Sequence, residues 1–276
     1  MKDFEFGEAT ALVTGAASGI GEALAAGLAR RGSHLVLLDR DAAGLDRVAS
    51  AVRGQHPELR VDTVVLDLAD REATEQAAAR LADQHPEITL LVNNAGVALG
   101  GDFDQLTLDE FSWVLDINFR AVVTLTHHLL PVLQAQPGSH LVNVSSVFGL
   151  IAPAGQSAYS SSKFAVRGFT EALRHELVGR VGVTCVHPGG IATRIAASAR
   201  MGSGVDETEW DSGRDRIGRL LTIPPSTAAE AILRGVGRRR PRVLIGATAR
   251  IPDLIARLAP GSYGLLLKGV SSRRRR

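Results

Sequence analysis

The chain has 276 residues, 45% of them hydrophobic, with 29 glycines and few aromatics, which fits one large domain with a substantial core and excludes a disordered or fibrous protein. Its formal charge of +2 is local: without the terminal RRRR, Arg273 to Arg276, 27 basic residues face 29 acidic ones. A nucleic-acid partner would have to rest on that tail and on GRRRPR (Gly237 to Arg242), with no recognition motif, and none is expected.

The opening stretch MKDFEFGEATALVTGAA is acidic and lacks a basic leader followed by an apolar core, and no apolar run reaches the roughly 20 residues that cross a bilayer. A cytoplasmic location is the expectation. The first strand, ATALVTG, runs into TGAASGIGEALAAGLARRG, with glycines at 15, 19 and 21 where strand becomes helix. Glycines there let the backbone approach a pyrophosphate, while the helix N-terminus supplies amide donors and the positive end of its dipole. The second strand, SHLVLLD, ends on Asp39, 18 residues after Gly21. An aspartate there accepts from an adenosine ribose and repels a 2′-phosphate, which favours NAD; Arg40, which could pair with that phosphate, keeps NADP open.

Further apolar strands follow at VDTVVLD, ITLLVNN, SHLVNVSS, VGVTCVHP and PRVLIGA, separated by segments such as ATEQAAARLADQH with helical spacing. Continuous apolar strands between amphipathic helices indicate a parallel sheet covered on both faces, a doubly wound Rossmann-type α/β fold of about seven strands. Residues 1–247 form the expected single nucleotide-binding domain. Within it, about 191–225 reads as a long irregular stretch and a substrate lid. Residues 248–276 are an extension with a basic tail, in which Pro260 and Gly261 would break any helix. The lone Cys185 reads as a buried strand residue. The eight histidines show no metal-site spacing, so no metal is expected.

The stretch SSVFGLIAPAGQSAYSSSK places Lys163, one of only three lysines, four residues after Tyr159. On a helix over SAYSSSKFAVRGFTEALRHEL, both side chains lie on one face and address one pocket. A free tyrosine has a pKa near 10. A neighbouring ammonium would favour its phenolate and bring it toward use as a general base.

Taken together, TGAASGIG (Thr14 to Gly21), Asp67, NNAG (Asn93 to Gly96), Asn118, SS at 145 and 146, YSSSK (Tyr159 to Lys163) and HPGGIAT (His187 to Thr193) resemble a classical short-chain dehydrogenase/reductase. The motifs stand in family order from about residue 7 to 247. The resemblance implies an active site built into one Rossmann-type domain, a secondary alcohol or ketone as substrate, NAD or NADP as cofactor, and a homodimer or homotetramer. It implies a catalytic tetrad of Asn118, Ser146, Tyr159 and Lys163, the family's usual spacing to the tyrosine selecting Ser146 over its neighbour Ser145. Tyr159 would carry the proton, Ser146 would hold the substrate oxygen, Lys163 would bond the nicotinamide ribose, and Asn118 would hold a relay water. Cofactor contacts are implied at Gly15, Ser18, Gly19, Ile20 and Gly21; at Asp39, Arg40, Asp67 and Leu68; at Asn94, Ala95 and Gly96, with Asn93 behind them; at Tyr159 and Lys163; and at Pro188, Gly189, Ile191 and Thr193.

The pocket neighbours Val97, Ala98, Leu99, Val147, Phe148, Leu150, Ile151 and Pro153, with Ile195 and Met201 on the lid, favour an uncharged lipophilic substrate. Arg194 or Arg200 would suit an anion instead. A nucleotide-binding redox sensor or scaffold is the alternative without turnover, and the extension with its tail suggests contact with a membrane surface.

Overall fold

The computed structural model describes residues 2–195 and 197–264; the arginine tail and the rest of the extension from residue 265 lie outside it. Seven strands form one parallel sheet in the order β3-β2-β1-β4-β6-β7-β9. They are β1 (Thr10–Thr14), β2 (His34–Asp39), β3 (Val61–Val65), β4 (Ile88–Asn93), β6 (His140–Val144), β7 (Gly182–Pro188) and β9 (Arg242–Ile245). Every residue of β1 and β6 is buried, as an unbroken apolar run in a doubly covered sheet requires. β3 is the exception. It ends the sheet and exposes Asp62, Thr63 and Val65, so its polar positions mark an edge.

Alternation along the strands assigns side chains to two cores. Val13 and Leu37 point toward α1 (Gly19–Ala29), α2 (Ala42–Gln55) and α8 (Pro225–Gly237), in a cluster with Leu24, Leu28, Leu45 and Leu233. Leu12 and Leu38 point the other way, to α3 (Arg71–Gln84), α5 (Ala121–Ala135) and α6 (Ser157–Glu176), in a cluster with Leu81, Leu125, Leu129 and Leu173. Burying each such leucine contributes roughly 1.5–3 kcal/mol. Helix starts are fixed by side chains: Asp41 accepts from the Gly44 N–H at 3.0 Å, and Asp70 from that of Ala73 at 2.9 Å. A reciprocal Thr107–Glu110 pair opens α4 (Leu108–Leu115).

The chain leaves β1 toward β2 and β3, and later returns to the opposite side of β1 as β4. The crevice between the C-terminal ends of β1 and β4 is therefore the topological switch point, where open α/β sheets bind ligands.

The stretch 191–225 is more ordered than its composition suggested. It contains β8 (Arg200–Met201), paired with β5 (Leu99–Gly100), and α7 (Glu207–Gly218). Polar runs such as DETEW concealed the helix; its Trp210 ring packs where a Cβ on Gly100 would stand. After β9 the chain forms α9 (Ala247–Leu258), which ends before Pro260 as expected. Among the described residues no helix is long and apolar enough to cross a membrane.

Candidate active site

The crevice is stapled by one hydroxyl. Thr14 Oγ1 accepts from the backbone N–H of both Asn94 and Ala95 at 3.0 Å, and the Asn94 amide donates to the Thr14 carbonyl at 2.9 Å. Gly15 and Gly19 both have positive φ, at 67° and 59°, so the turn into α1 needs residues without a Cβ. A Cβ on Gly21 would stand 2.0 Å from the Gly15 carbonyl oxygen. The α1 N-terminus is thus held close under the turn. Ser18 at its N-cap makes no side-chain capping bond, which leaves the first-turn amides of α1 for a ligand.

Beyond β6, Ser145 and Ser146 diverge. Ser145 is buried and donates to the Lys163 carbonyl at 2.8 Å, tying β6 to α6. Ser146 Oγ accepts from the Phe148 N–H at 3.1 Å, and its hydroxyl lies near enough to the Tyr159 phenol to pull that group's pKa down. The structure therefore separates two residues whose local sequence is alike. α6 carries Tyr159 and Lys163 on one face, with Lys163 Nζ 5.8 Å from the Tyr159 ring centre. The ammonium is buried and donates to the Val144 carbonyl at 3.1 Å.

Burial sets the charges here. It pushes the Lys163 ammonium down from 10.5 to about 8. It also pushes the Tyr159 phenol above its ordinary 10, against the pull of the Ser146 hydrogen bond. In the folded chain without cofactor, desolvation is the largest influence on the Tyr159 phenol, because burial penalises the charged phenolate.

Asn118 reaches the same spot from a π-helical turn, Asp116–Arg120, between α4 and α5. Such turns recur at functional sites. The Asn118 side chain is fully engaged: it accepts from the Val97 N–H at 2.8 Å and donates to the Val97 carbonyl and to Ser162 Oγ, both at 3.0 Å. A Cβ on Gly96 would lie 3.2 Å from both Asn118 Oδ1 and Lys163 Nζ. The glycine of NNAG is thus the contact on which two of the four tetrad candidates, Asn118 and Lys163, close. Behind them, Asn93 donates to Thr126 and Asn143, and Asn143 to Thr170, all at 2.9–3.1 Å, locking β4 and β6 to α5 and α6.

The profile described as short chain dehydrogenase matches residues 9–203. The chain belongs to the short-chain dehydrogenase/reductase family. It is 41% identical over 260 residues, 93% of each chain, to a Mycobacterium tuberculosis protein named oxidoreductase SadH. It superposes with a TM-score of 0.82 on a short-chain dehydrogenase/reductase from Burkholderia phymatum in complex with NAD, at 28% identity over 95% of this chain and 96% of that one. A Sphingobium yanoikuyae short-chain dehydrogenase in complex with NADPH gives 0.75 at 27% identity, over 97% of both chains.

In this short-chain dehydrogenase/reductase the residues around the far end of the crevice are also bonded to one another. Asp39 accepts from the Ala17 N–H at 3.0 Å and the Asp41 N–H at 3.1 Å, so it braces the glycine turn. Arg40 lies 3.9 Å from Asp67, both half-exposed. Thr193 touches Gly19 across the crevice, its Cγ2 3.2 Å from where a Cβ would stand. Leu68 and Ile191 are buried, and Leu99 belongs to a small core cluster with Val114 and Ala158 and not to an open wall.

Three residues inside the quoted motifs were given no role in the sequence analysis and act as supports: Thr14, Ser162 and His187. The His187 ring donates from Nδ1 to the Ser146 carbonyl at 3.0 Å, since a carbonyl can only accept. Burial holds its pKa down near 4, so the ring is neutral. A polar residue within an apolar strand run, as in VGVTCVHP, was the available signal.

Proposed function

We propose that this chain interconverts a secondary alcohol and a ketone with a nicotinamide cofactor, with Tyr159 as the acid/base. The observation that carries the reading is the convergence of the Ser146 hydroxyl and the buried Lys163 ammonium on Tyr159. The glycine turn, the open first-turn amides of α1 and the bracing of Asp39 fit a dinucleotide: Gly15, Ser18, Gly19, Ile20 and Gly21 would cradle its pyrophosphate. Asp39 would face the ribose and Asp67 with Leu68 the adenine. Asn94, Ala95 and Gly96 would line the adenosine side, while Pro188, Gly189, Ile191 and Thr193 would hold the nicotinamide. When bound, the cofactor supplies or accepts the hydride.

Ser146 orients the substrate oxygen toward Tyr159. In oxidation the Tyr159 phenolate takes the hydroxyl proton; in reduction the phenol returns one to the forming alkoxide. Lys163 supplies positive charge beside the phenolate and donors for the ribose. A planar guanidinium could not reproduce its position against Val144 and Gly96. Asn118 holds the loop at Val97 and Ser162 in place, and positions the water of a proton relay from Lys163.

NAD is the favoured cofactor. The Asp39 carboxylate would repel a 2′-phosphate on the ribose it faces, and Arg40 leans toward Asp67. The segment 191–225 serves as the substrate lid: β8 pairs with β5, and the Arg200 guanidinium stacks 3.8 Å from the centre of the Trp113 ring. That engagement leaves Arg200 poorly placed for an anionic substrate and favours an uncharged, lipophilic one. Residues 1–247 form the catalytic domain, and the chain works as a homodimer or homotetramer in the cytoplasm. Alcohol-dependent cofactor reduction by the wild type and by Tyr159→Phe tests the assignment; substantial turnover by the variant would remove Tyr159 from its role.

A further inference from the structure

The C-terminal helix presents an apolar ridge to solvent. On α9, Ile251 and Leu254 are each 58% exposed and Leu258 is 77% exposed. Residues 251, 254 and 258 are three and four apart, so they share one side of the helix, while Ala249 and Asp253 on the other side are buried against the protein. Arg250 and Arg257 flank the ridge. Natural surface helices turn such a stripe inward; this one turns it out.

The ridge borders a strongly basic groove. Arg234, Arg238, Arg240, Arg242 and Arg250 line a space of about 310 Å³ along the sheet edge formed by β9 and the end of α8. Arg242 is held by Asp253, and Arg234 lies 4.0 Å from Glu230. Among the described residues, Arg238, Arg240 and Arg250 have no carboxylate partner. Arg239, between two of them, turns inward instead and bonds the carbonyls of Lys2, Gly138 and Ser139, so the outward direction of its neighbours is a property of the fold. From the same end of α9 the sequence continues as LLLKGVSSRRRR, an apolar triplet followed by five cations.

We infer that α9 and the arginine groove together form a docking face for the surface of an anionic lipid bilayer. The exposed leucines and isoleucine would enter the headgroup boundary, and the arginines would meet lipid phosphates, the division of labour of an interfacial amphipathic helix. Arginines alone would only protect a sheet edge from pairing, which leaves the ridge unexplained. A nucleic acid would use the arginines and give the ridge no counterpart. A second copy docked about a two-fold axis here would bring arginine against arginine.

The same face borders the cleft. The Ala152 N–H, in the loop between Ser146 and Tyr159, donates to the Tyr263 hydroxyl at 3.3 Å, just beyond α9. Docking would hold the cleft mouth near the bilayer, where a lipophilic alcohol or ketone partitions; this consequence, unlike docking itself, rests on the proposed reaction.

The test is flotation of the full-length protein with phosphatidylcholine vesicles, plain or containing roughly one-third phosphatidylglycerol. The wild type is expected to float only with the anionic vesicles. Leu254→Ser with Leu258→Ser should weaken partitioning at least about tenfold. Arg238→Gln with Arg240→Gln should weaken it roughly twenty-fivefold, about fivefold per arginine. All of these side chains are exposed, so unchanged circular dichroism and melting are expected and are checked alongside. No flotation of the wild type overturns the inference, whatever the enzyme's turnover. It is equally overturned if the leucine variant floats like the wild type, if only deletion of residues 265–276 abolishes binding, or if the leucine variant changes oligomeric state and not flotation.

Discussion

Replacing Ser145 or Ser146 by alanine should produce opposite phenotypes from adjacent, chemically identical residues. Ser145→Ala removes the buried hydrogen bond to the Lys163 carbonyl, 2.8 Å long. Losing one buried bond and leaving its acceptor short costs about 1–2 kcal/mol, which for a chain of this size lowers Tm by roughly 2–4 °C. The alanine methyl occupies less space than the serine hydroxymethyl group, and the side chains of Tyr159 and Lys163 keep their places. Turnover should stay within about threefold of wild type, since at most a fraction of a kcal/mol reaches the reacting groups. Ser146→Ala removes the hydroxyl that pulls the Tyr159 pKa down and, in the proposed reaction, holds the substrate oxygen. Loss of one such donor lowers kcat by roughly 10²–10³. Stability should fall by less than about 1 kcal/mol, from the lost bond to Phe148. Thermal melting and steady-state cofactor reduction on both variants provide the readouts. A Ser145→Ala enzyme that melts normally and is inactive, beside an active Ser146→Ala, would show that the two serines had been assigned the wrong way round.

Further consequences can be measured separately. The chain has only two tyrosines, so in Tyr263→Phe the ultraviolet phenolate signal reports Tyr159 alone; its midpoint should lie above 10 in the free protein and move down on addition of NAD, and an unchanged midpoint would remove the cofactor's charge from the mechanism. Gly96→Ala should push Lys163 and Asn118 aside, since its Cβ would lie 3.2 Å from each; turnover should drop at least about tenfold with a stability loss of about 1–3 kcal/mol, whereas wild-type kinetics would show slack that the packing does not allow. Acid should destabilise the protein before most carboxylates titrate. Burial holds His140 near 3 and His187 near 4, so below pH 6.5 the unfolded chain binds protons that the folded chain refuses. Stability is then lost as pH falls, by about 2–3 kcal/mol per unit between about pH 6 and 5; urea denaturation showing a flat profile there would contradict the buried neutral rings. Asp39→Ala should raise the NADP-to-NAD ratio of kcat/KM by roughly tenfold or more, and an unchanged ratio would take Asp39 out of cofactor selection.

The periodicity of apolar runs made the sheet legible because a parallel sheet buries both faces, and a strand such as LVLL has no other solution. The tetrad candidates were legible through motif spacing, which places Tyr159 and Lys163 one helical turn apart. The segment from 191 to 225 was not. Its order comes from contacts across the chain, such as Ser203 bonding Glu110 at 3.0 Å and Trp210 resting on Gly100, and no local pattern records them. The π-turn that carries Asn118 is likewise invisible to a 3.6-residue period. The difference between Ser145 and Ser146 depends on which way each side chain leaves the end of β6, and the pKa balance at Tyr159 depends on how deeply its neighbours bury it.

The most direct measurement of the account's central claim is cofactor reduction over a panel of secondary alcohols, from small diols to steroids, with NAD and NADP compared and Tyr159→Phe run in parallel with cofactor-binding titrations. The account expects turnover that favours NAD with lipophilic alcohols, and a variant that binds cofactor like the wild type but has lost nearly all turnover. A Tyr159→Phe enzyme that still turns over at a substantial fraction of the wild-type rate would contradict it.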